Sequence, residues 1–218
     1  GDRGETLAAA MCAAEMGIVI AHIQAGDISG GIDELHRHSI TKLAHLHFSQ
    51  NEAQRQRVIR LGESPDRVWN VGAPYVDNIL NGSLLSRDRA LRKCKVEPDK
   101  EFFIVLQHSD SYRPNVGYDH TKAILEVVES RKEDALIIYP CSDPGYKQVI
   151  KAIAEFDDCP RFHFFRNIEA ILFLSLLKEC KALIGNSSGG IIEAPYMSIP
   201  FINVGLRQEG REKAYNTY

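Results

Sequence analysis

Three observations predict an α/β protein of two domains, each built on a parallel sheet covered by helices. Short apolar runs alternate with longer Ala-rich or amphipathic segments along nearly the whole chain. Glycine and small polar residues mark the joints between them. The apolar rhythm breaks once, into charge, between Asn81 and Lys100, with Pro98 near its end. Strands separated by helical crossovers favour a parallel sheet with both faces covered. The break places the domain boundary at about residue 90, dividing the chain into residues 1–90 and 91–218.

The elements follow in order. Leu7 to Met16 is rich in Ala and Met and reads as a helix, closed by Gly17 before the apolar run Ile18 to Ile23. Leu46 to Ser49 is strand-like, Asn51 can cap a helix running to Leu61, and Val68 to Val71 is again strand-like. In the second half, strands are predicted at 102–107, 135–139, 162–165, 182–185 and 200–204. Helices are predicted between them at 120–130, 146–156, 168–180 and 189–197. No repeat or low-complexity segment interrupts the pattern.

Composition narrows the function classes. With 218 residues, 44% hydrophobic and 25% charged, the chain has the balance of a globular protein rather than a disordered one. A net charge of −3 and a pI near 6.3 provide no broad positive field for nucleic acid, so an anionic ligand needs a local site. The five cysteines are widely spaced without a CxxC pair, which reads as reduced thiols of a cytoplasmic protein. No apolar run approaches the roughly 18 residues of a membrane span.

The sharpest motif lies where a strand meets a helix. Residues 182–185 run into Asn186-Ser187-Ser188-Gly189-Gly190-Ile191-Ile192-Glu193, a small polar turn at the C-terminal edge of a sheet. Ligands of open α/β sheets bind at such edges. Helix-start N–H groups, two hydroxyls and glycines that permit close backbone approach suit a diphosphate. Glu193, about one turn further on, can accept hydrogen bonds from a ribose diol. The same residues also serve as an ordinary N-cap serine followed by flexible glycines. Arg207 and Arg211 follow the next strand and could close on the same phosphates, or lie on the surface as arginines usually do.

A second constellation sits in the first half. Asp2, Gln24, Asp27 and Asp33 fall at or just beyond predicted strand ends. Asp33 can begin the helix carrying Arg37 and His38, either as a catalytic carboxylate or as a cap ion-paired with Arg37 at i,i+4. His36, His38, His45 and His47 resemble a metal cluster only until spacing is checked, because i,i+2 pairs point apart on a helix. No metal is expected. His108 follows a predicted strand and would project from a sheet edge.

These residues carry a resemblance. Gly1-Asp2-Arg3, the run His22 to Asp33, and Arg37 to His45 resemble the signature of hydrolysing UDP-N-acetylglucosamine 2-epimerases. Leu106-Gln107-His108, the 185–193 turn and the run Gly205 to Glu212 agree with it. The resemblance implies a GT-B-like architecture of two Rossmann-like domains, with UDP gripped mainly by the second. It implies that Ser187, Ser188 and Gly189 contact the diphosphate, Glu193 the ribose, and His108 the phosphate side of the reacting centre. Asp2 and Asp33 match catalytic carboxylates. Gln24 stands where relatives carry a catalytic Glu. An amide exchanges no proton at neutral pH, so Asp27 or another carboxylate takes that role or activity is reduced. Material is expected to be missing at both ends: the earlier strands of the first domain and the closing helix of the fold.

The implied reaction expels UDP first, because the C2 proton of an N-acetylhexosamine has no adjacent carbonyl to acidify it. An oxocarbenium-like state then loses that proton to a carboxylate. Water adds to the resulting 2-acetamidoglucal, giving N-acetylmannosamine and UDP, with no cofactor. The expected partner is a UDP-amino sugar, with no nucleic acid and no membrane, and a homodimer is the assembly left open. Two alternatives stand: a non-hydrolysing epimerase that returns UDP to the glycal, and a non-catalytic UDP-sugar binding module.

Overall fold

The computed structural model describes residues 2–82 and 84–218. They form two compact units: residues 2–75 with 209–211, and residues 76–208 with 212–218. The division near residue 90 expected from the charge break therefore lies inside the second unit. The segment read as a break, Asn81 to Lys100, holds helix α5 (Arg87–Lys93), and α4 (Pro74–Leu80) ends just before it. The charged face of α5 conceals Ala90 and Leu91, both fully buried, which is why its apolar signal is weak.

The first unit alternates α1 (Gly4–Glu15), β1 (Ala21–Ile23), α2 (Ile32–Leu43), β2 (Leu46–Ser49), α3 (Glu52–Arg60) and β3 (Val68–Asn70). Its strands pair in parallel in the order β1-β2-β3. Asn51 caps α3 as predicted, its side chain accepting from Gln54 N at 2.9 Å. The packed apolar cluster here is small: Ala25, Val58 and Val68, with Ile59 packed against them, while Ala10 and Ile40 are buried apart from it. Gly26 sits over α3 with φ +82°, and a Cβ there would meet Gln54 O at 2.3 Å. Only glycine lets the loop after β1 approach the helix so closely.

The second unit continues with β4 (Phe102–Leu106), α6 (Val116–Glu129), β5 (Asp134–Ile138), α7 (Tyr146–Ala154), β6 (Phe162–Phe165), α8 (Ala170–Glu179), β7 (Leu183–Gly185), α9 (Gly189–Ile192) and β8 (Phe201–Asn203). Helix α6 begins four residues before the predicted His120. Gly117, a breaker by sequence, is helical here because it packs against Val149 of α7. The helix predicted over 189–197 is α9 followed by a 3₁₀ turn, Ala194–Met197, with Pro195 at the change.

All five strands of this sheet are parallel, in the order β6-β5-β4-β7-β8. Alternate side chains of each strand feed two separate cores. Phe102, Ile104, Leu136 and Leu183 pack with α5 and α8, whereas Val105, Ala135, Ile137 and Ile184 pack with α6 and α7. The sheet is thus buried on both faces, as continuous apolar strands require. The chain moves outward from β4 through β5 to β6, then returns to the other side of β4. That reversal puts a crevice between the ends of β4 and β7, the place where open α/β sheets collect ligands. No helix among the described residues is long and apolar enough to cross a membrane.

Candidate functional site

At this reversal point the backbones of β4 and β7 come unusually close. Gly185 has φ +133°, and a Cβ on it would lie 2.2 Å from Leu106 O. Asn186, 2% exposed, then joins the two strand ends: its Oδ1 accepts from His108 N at 2.7 Å, and its Nδ2 donates to His108 O at 2.9 Å. Behind it, Gln208 Nε2 and Arg207 Nη1 both donate to Asn186 O, at 2.7 and 3.2 Å.

The turn opens a cavity of about 340 Å³. Ser187, Ser188, Gly189, Glu193 and His108 line it, joined by Arg166 and Asn167 from the loop after β6. Leu106, Ile138, Ile168 and Phe173 supply an apolar wall. Gly189 N donates to Ser187 Oγ at 3.3 Å. A Cβ on Gly190 would lie 2.3 Å from the Phe201 ring, so glycine is what lets α9 seat on β8. An apolar wall with converging hydroxyls, amides and a cation can hold a flat heterocycle and an anion together. On the same rim burial, reinforced by the Asp143 carboxylate, pushes the Cys141 thiol up to about 11. It is therefore uncharged at neutral pH.

The carboxylates of the first half belong to the first unit. Asp2 Oδ2 pairs with Arg37 Nη2 at 2.5 Å, and Arg37 Nη1 donates to Asp27 O at 3.1 Å. Burial works to raise the Asp2 carboxyl, but the charge and hydrogen bond of Arg37, with Arg211 in support, hold it below the usual aspartate range. Asp27 is 4% exposed; its Oδ1 accepts from Ile28 N at 2.9 Å and its Oδ2 pairs with Arg211 Nη2 at 2.8 Å. Arg211 Nε also donates to Ile28 O at 3.0 Å. Asp27, expected as a stand-in proton carrier, is thus engaged in holding a cation. Asp33 lies in the first turn of α2, whose N-cap is Gly31 rather than Asp33. Gln24 has φ +66°, a left-handed backbone uncommon for a residue with a side chain. Gln24 N and Ala25 N both donate to Phe48 O.

Residues 1–218 match the family profile described as UDP-N-acetylglucosamine 2-epimerase. The chain belongs to that family. The chain is 33% identical to the hydrolysing UDP-N,N'-diacetylbacillosamine 2-epimerase of Legionella pneumophila, over 99% of its own length and 57% of that protein. It is 31% identical to the UDP-N-acetylglucosamine 2-epimerase of Neisseria meningitidis, over 97% of this chain and 55% of the relative. The chain thus spans little more than half the length of the curated relatives it matches. Among solved structures, the Neisseria meningitidis UDP-GlcNAc 2-epimerase bound to UDP-GlcNAc superposes with TM-score 0.78 at 17% identity, covering 96% of this chain and 59% of that one. The fold is therefore the GT-B-like class of Rossmann-like parallel-sheet domains that the sequence predicts.

Within this epimerase-family chain, the structure gathers Ser187, Ser188, Gly189, Glu193 and His108 around one cavity. Arg207 stands behind the turn against Asn186, and Arg211 is bound in the first unit by Asp27. Sequence reading missed Arg166 and Asn167, although both follow a predicted strand end as His108 does. It also missed Asn186 as the residue that ties the β4 and β7 loops together, because a buried asparagine beside two serines reads as part of a generic polar turn.

Proposed function

We propose that the protein is a hydrolysing 2-epimerase of a UDP-linked N-acetylamino sugar, UDP-N-acetylglucosamine or a 2,4-diacetamido relative. The observation that carries this reading is the cavity at the β4/β7 reversal, where the hydroxyls of Ser187 and Ser188, the Glu193 carboxylate and the His108 ring converge. In this reading the Ser187–Gly189 turn and His108 stabilise the charge on the departing diphosphate. Glu193 accepts hydrogen bonds from the ribose, and Asp2 and Asp33 exchange the C2 proton. The Legionella pneumophila relative carries the hydrolysing designation, which supports release of free sugar rather than return of UDP to the glycal. Incubation of the intact protein with each UDP-amino sugar, followed by NMR of the products, tests it. A free 2-epimerised sugar plus UDP is expected, and an equilibrium mixture of two UDP-sugars would identify the non-hydrolysing reaction instead. A second reading, UDP-sugar binding without turnover, is favoured by the amide Gln24 standing where relatives carry a carboxylate.

A further inference from the structure

Resting on the reading of the β4/β7 cavity as a diphosphate site, a further set of contacts bears on how His108 meets that ligand. The main chain of His108 is clasped by Asn186, but its ring is held from the other side, by residues just past the end of β5. Cys141 N donates to His108 Nδ1 at 3.3 Å, and Cys141 Sγ lies 3.2 Å from the same nitrogen. The thiol in turn donates to Asp143 Oδ2 at 2.9 Å. Asp143 Oδ2 lies 3.8 Å from Arg207 Nη2, and Arg207 Nη1 reaches back to Asn186 O. Asn186, His108, Cys141, Asp143 and Arg207 therefore form a closed ring of polar contacts beside the cavity.

We propose that Cys141 is a positioning residue for the nucleotide, its main-chain N–H holding His108 Nδ1 while its thiol, bonded to Asp143, fixes the Cys141 loop and so the edge that His108 presents to the diphosphate. The thiol's one proton goes to the Asp143 carboxylate, so Sγ only packs against His108 Nδ1, and the ring's hydrogen bond on that edge comes from the Cys141 main chain. Burial keeps it protonated, so it brings no negative charge of its own toward an anionic ligand. With Nδ1 accepting from the Cys141 main chain, the ring proton sits on Nε2. That leaves His108 a donor on its opposite edge, the form an oxyanion selects. Because its thiol is held neutral, Cys141 is a poor nucleophile, and its contribution runs through His108 rather than through bond formation with the sugar.

The test is a double-mutant cycle read by calorimetry with UDP. Cys141→Ala is expected to weaken UDP about tenfold, while Cys141→Ser, which keeps a donor and acceptor, stays within about threefold of wild type. Asp143→Asn should follow Cys141→Ala. In a His108→Ala background, Cys141→Ala should cost nothing further. Unchanged affinity in Cys141→Ala, or an equal loss in both backgrounds, would overturn the assignment. Should Cys141→Ala fail to fold, the comparison of Cys141→Ser with Asp143→Asn decides: both retained, or both equally impaired, refutes it. If the wild-type protein does not bind UDP, the nucleotide reading of the cavity fails separately. In that case ¹⁵N NMR of His108 in the ligand-free protein judges Cys141. A Nε2–H form that becomes mixed in Cys141→Ala supports positioning, and an identical spectrum refutes it.

Discussion

Arg37 and Asp2 form a one-sided ion pair: the guanidinium is 2% exposed, whereas the carboxylate facing it is 35% exposed. The cation has been taken out of water and the anion only partly so. Asp2→Asn therefore leaves a buried cation with weaker compensation, costing about 2 kcal/mol, less than the 3–5 kcal/mol of a fully buried pair. Because the Asp2 carboxyl titrates below its ordinary range when folded, its share of stability is present above the unfolded aspartate pKa of about 3.9 and is lost as pH falls through the lower folded value. Denaturant titrations across acid pH should show a flatter acid limb for Asp2→Asn than for wild type.

Asp27 and Arg211 are both nearly buried, with side chains 6% and 7% exposed. Removing the cation alone strands a buried carboxylate, so Arg211→Ala should destabilise by about 3–5 kcal/mol. The double variant Arg211→Ala with Asp27→Ala should be less damaged than the sum of the two single changes. Additive losses in urea unfolding would mean that the two charges are not coupled.

Glu193 lines the cavity beside Gly189, where an added Cβ would stand 3.3 Å from Glu193 Oε2. If its carboxylate holds the ribose diol, Glu193→Ala weakens UDP by about 1.5–3 kcal/mol. Calorimetry giving wild-type affinity would remove Glu193 from the site.

Gln24 occupies a left-handed backbone at the end of β1, the kind of local strain found at functional positions. Restoring a carboxylate there, Gln24→Glu, should raise kcat with little change in KM, because the side chain is asked for proton transfer and not for ground-state binding. A fall in kcat would show instead that the site is built around the amide.

Turnover in deuterated water should give a sugar carrying deuterium at C2, because the abstracted proton exchanges through a carboxylate. Oxygen-18 water should label C1, since cleavage at the anomeric C–O bond brings solvent oxygen to the sugar. Asp33→Asn should slow release of the epimerised sugar by about 10²-fold or more while UDP still binds. Protium at C2, or isotope found only in UDP, would exclude elimination as the route.

The second unit was the more legible in sequence because its strands are apolar on both faces and its joints are glycine or polar residues. The strand-to-helix turn after β7 was readable for the same reason, since Gly185 and Gly190 each answer a specific crowding. What stayed hidden was pairing across distance. Helical spacing offers Asp33 to Arg37, but nothing in it names Asp2, thirty-five positions away, which the guanidinium also meets. Arg211 was read with the phosphates because it follows the last strand, and nothing local to it names Asp27 as a partner. Helix α5 was missed because two buried residues carry its packing and charge covers the rest.

The small apolar core of the first unit has a consequence for how this protein wears. Ala25, Val58 and Val68 bury little surface, so much of the order around β1 and the loop after it depends on Arg37, Arg57 and Arg211 being held by carboxylates and main-chain carbonyls. Added salt screens such buried pairs little, but protonating their carboxylates removes the charge that holds the arginines. Opening of residues 21–49, read by amide hydrogen exchange corrected for the pH dependence of intrinsic exchange, should therefore rise on acidification well before it does in the five-stranded sheet, and an acid-active protease should make its first cut there.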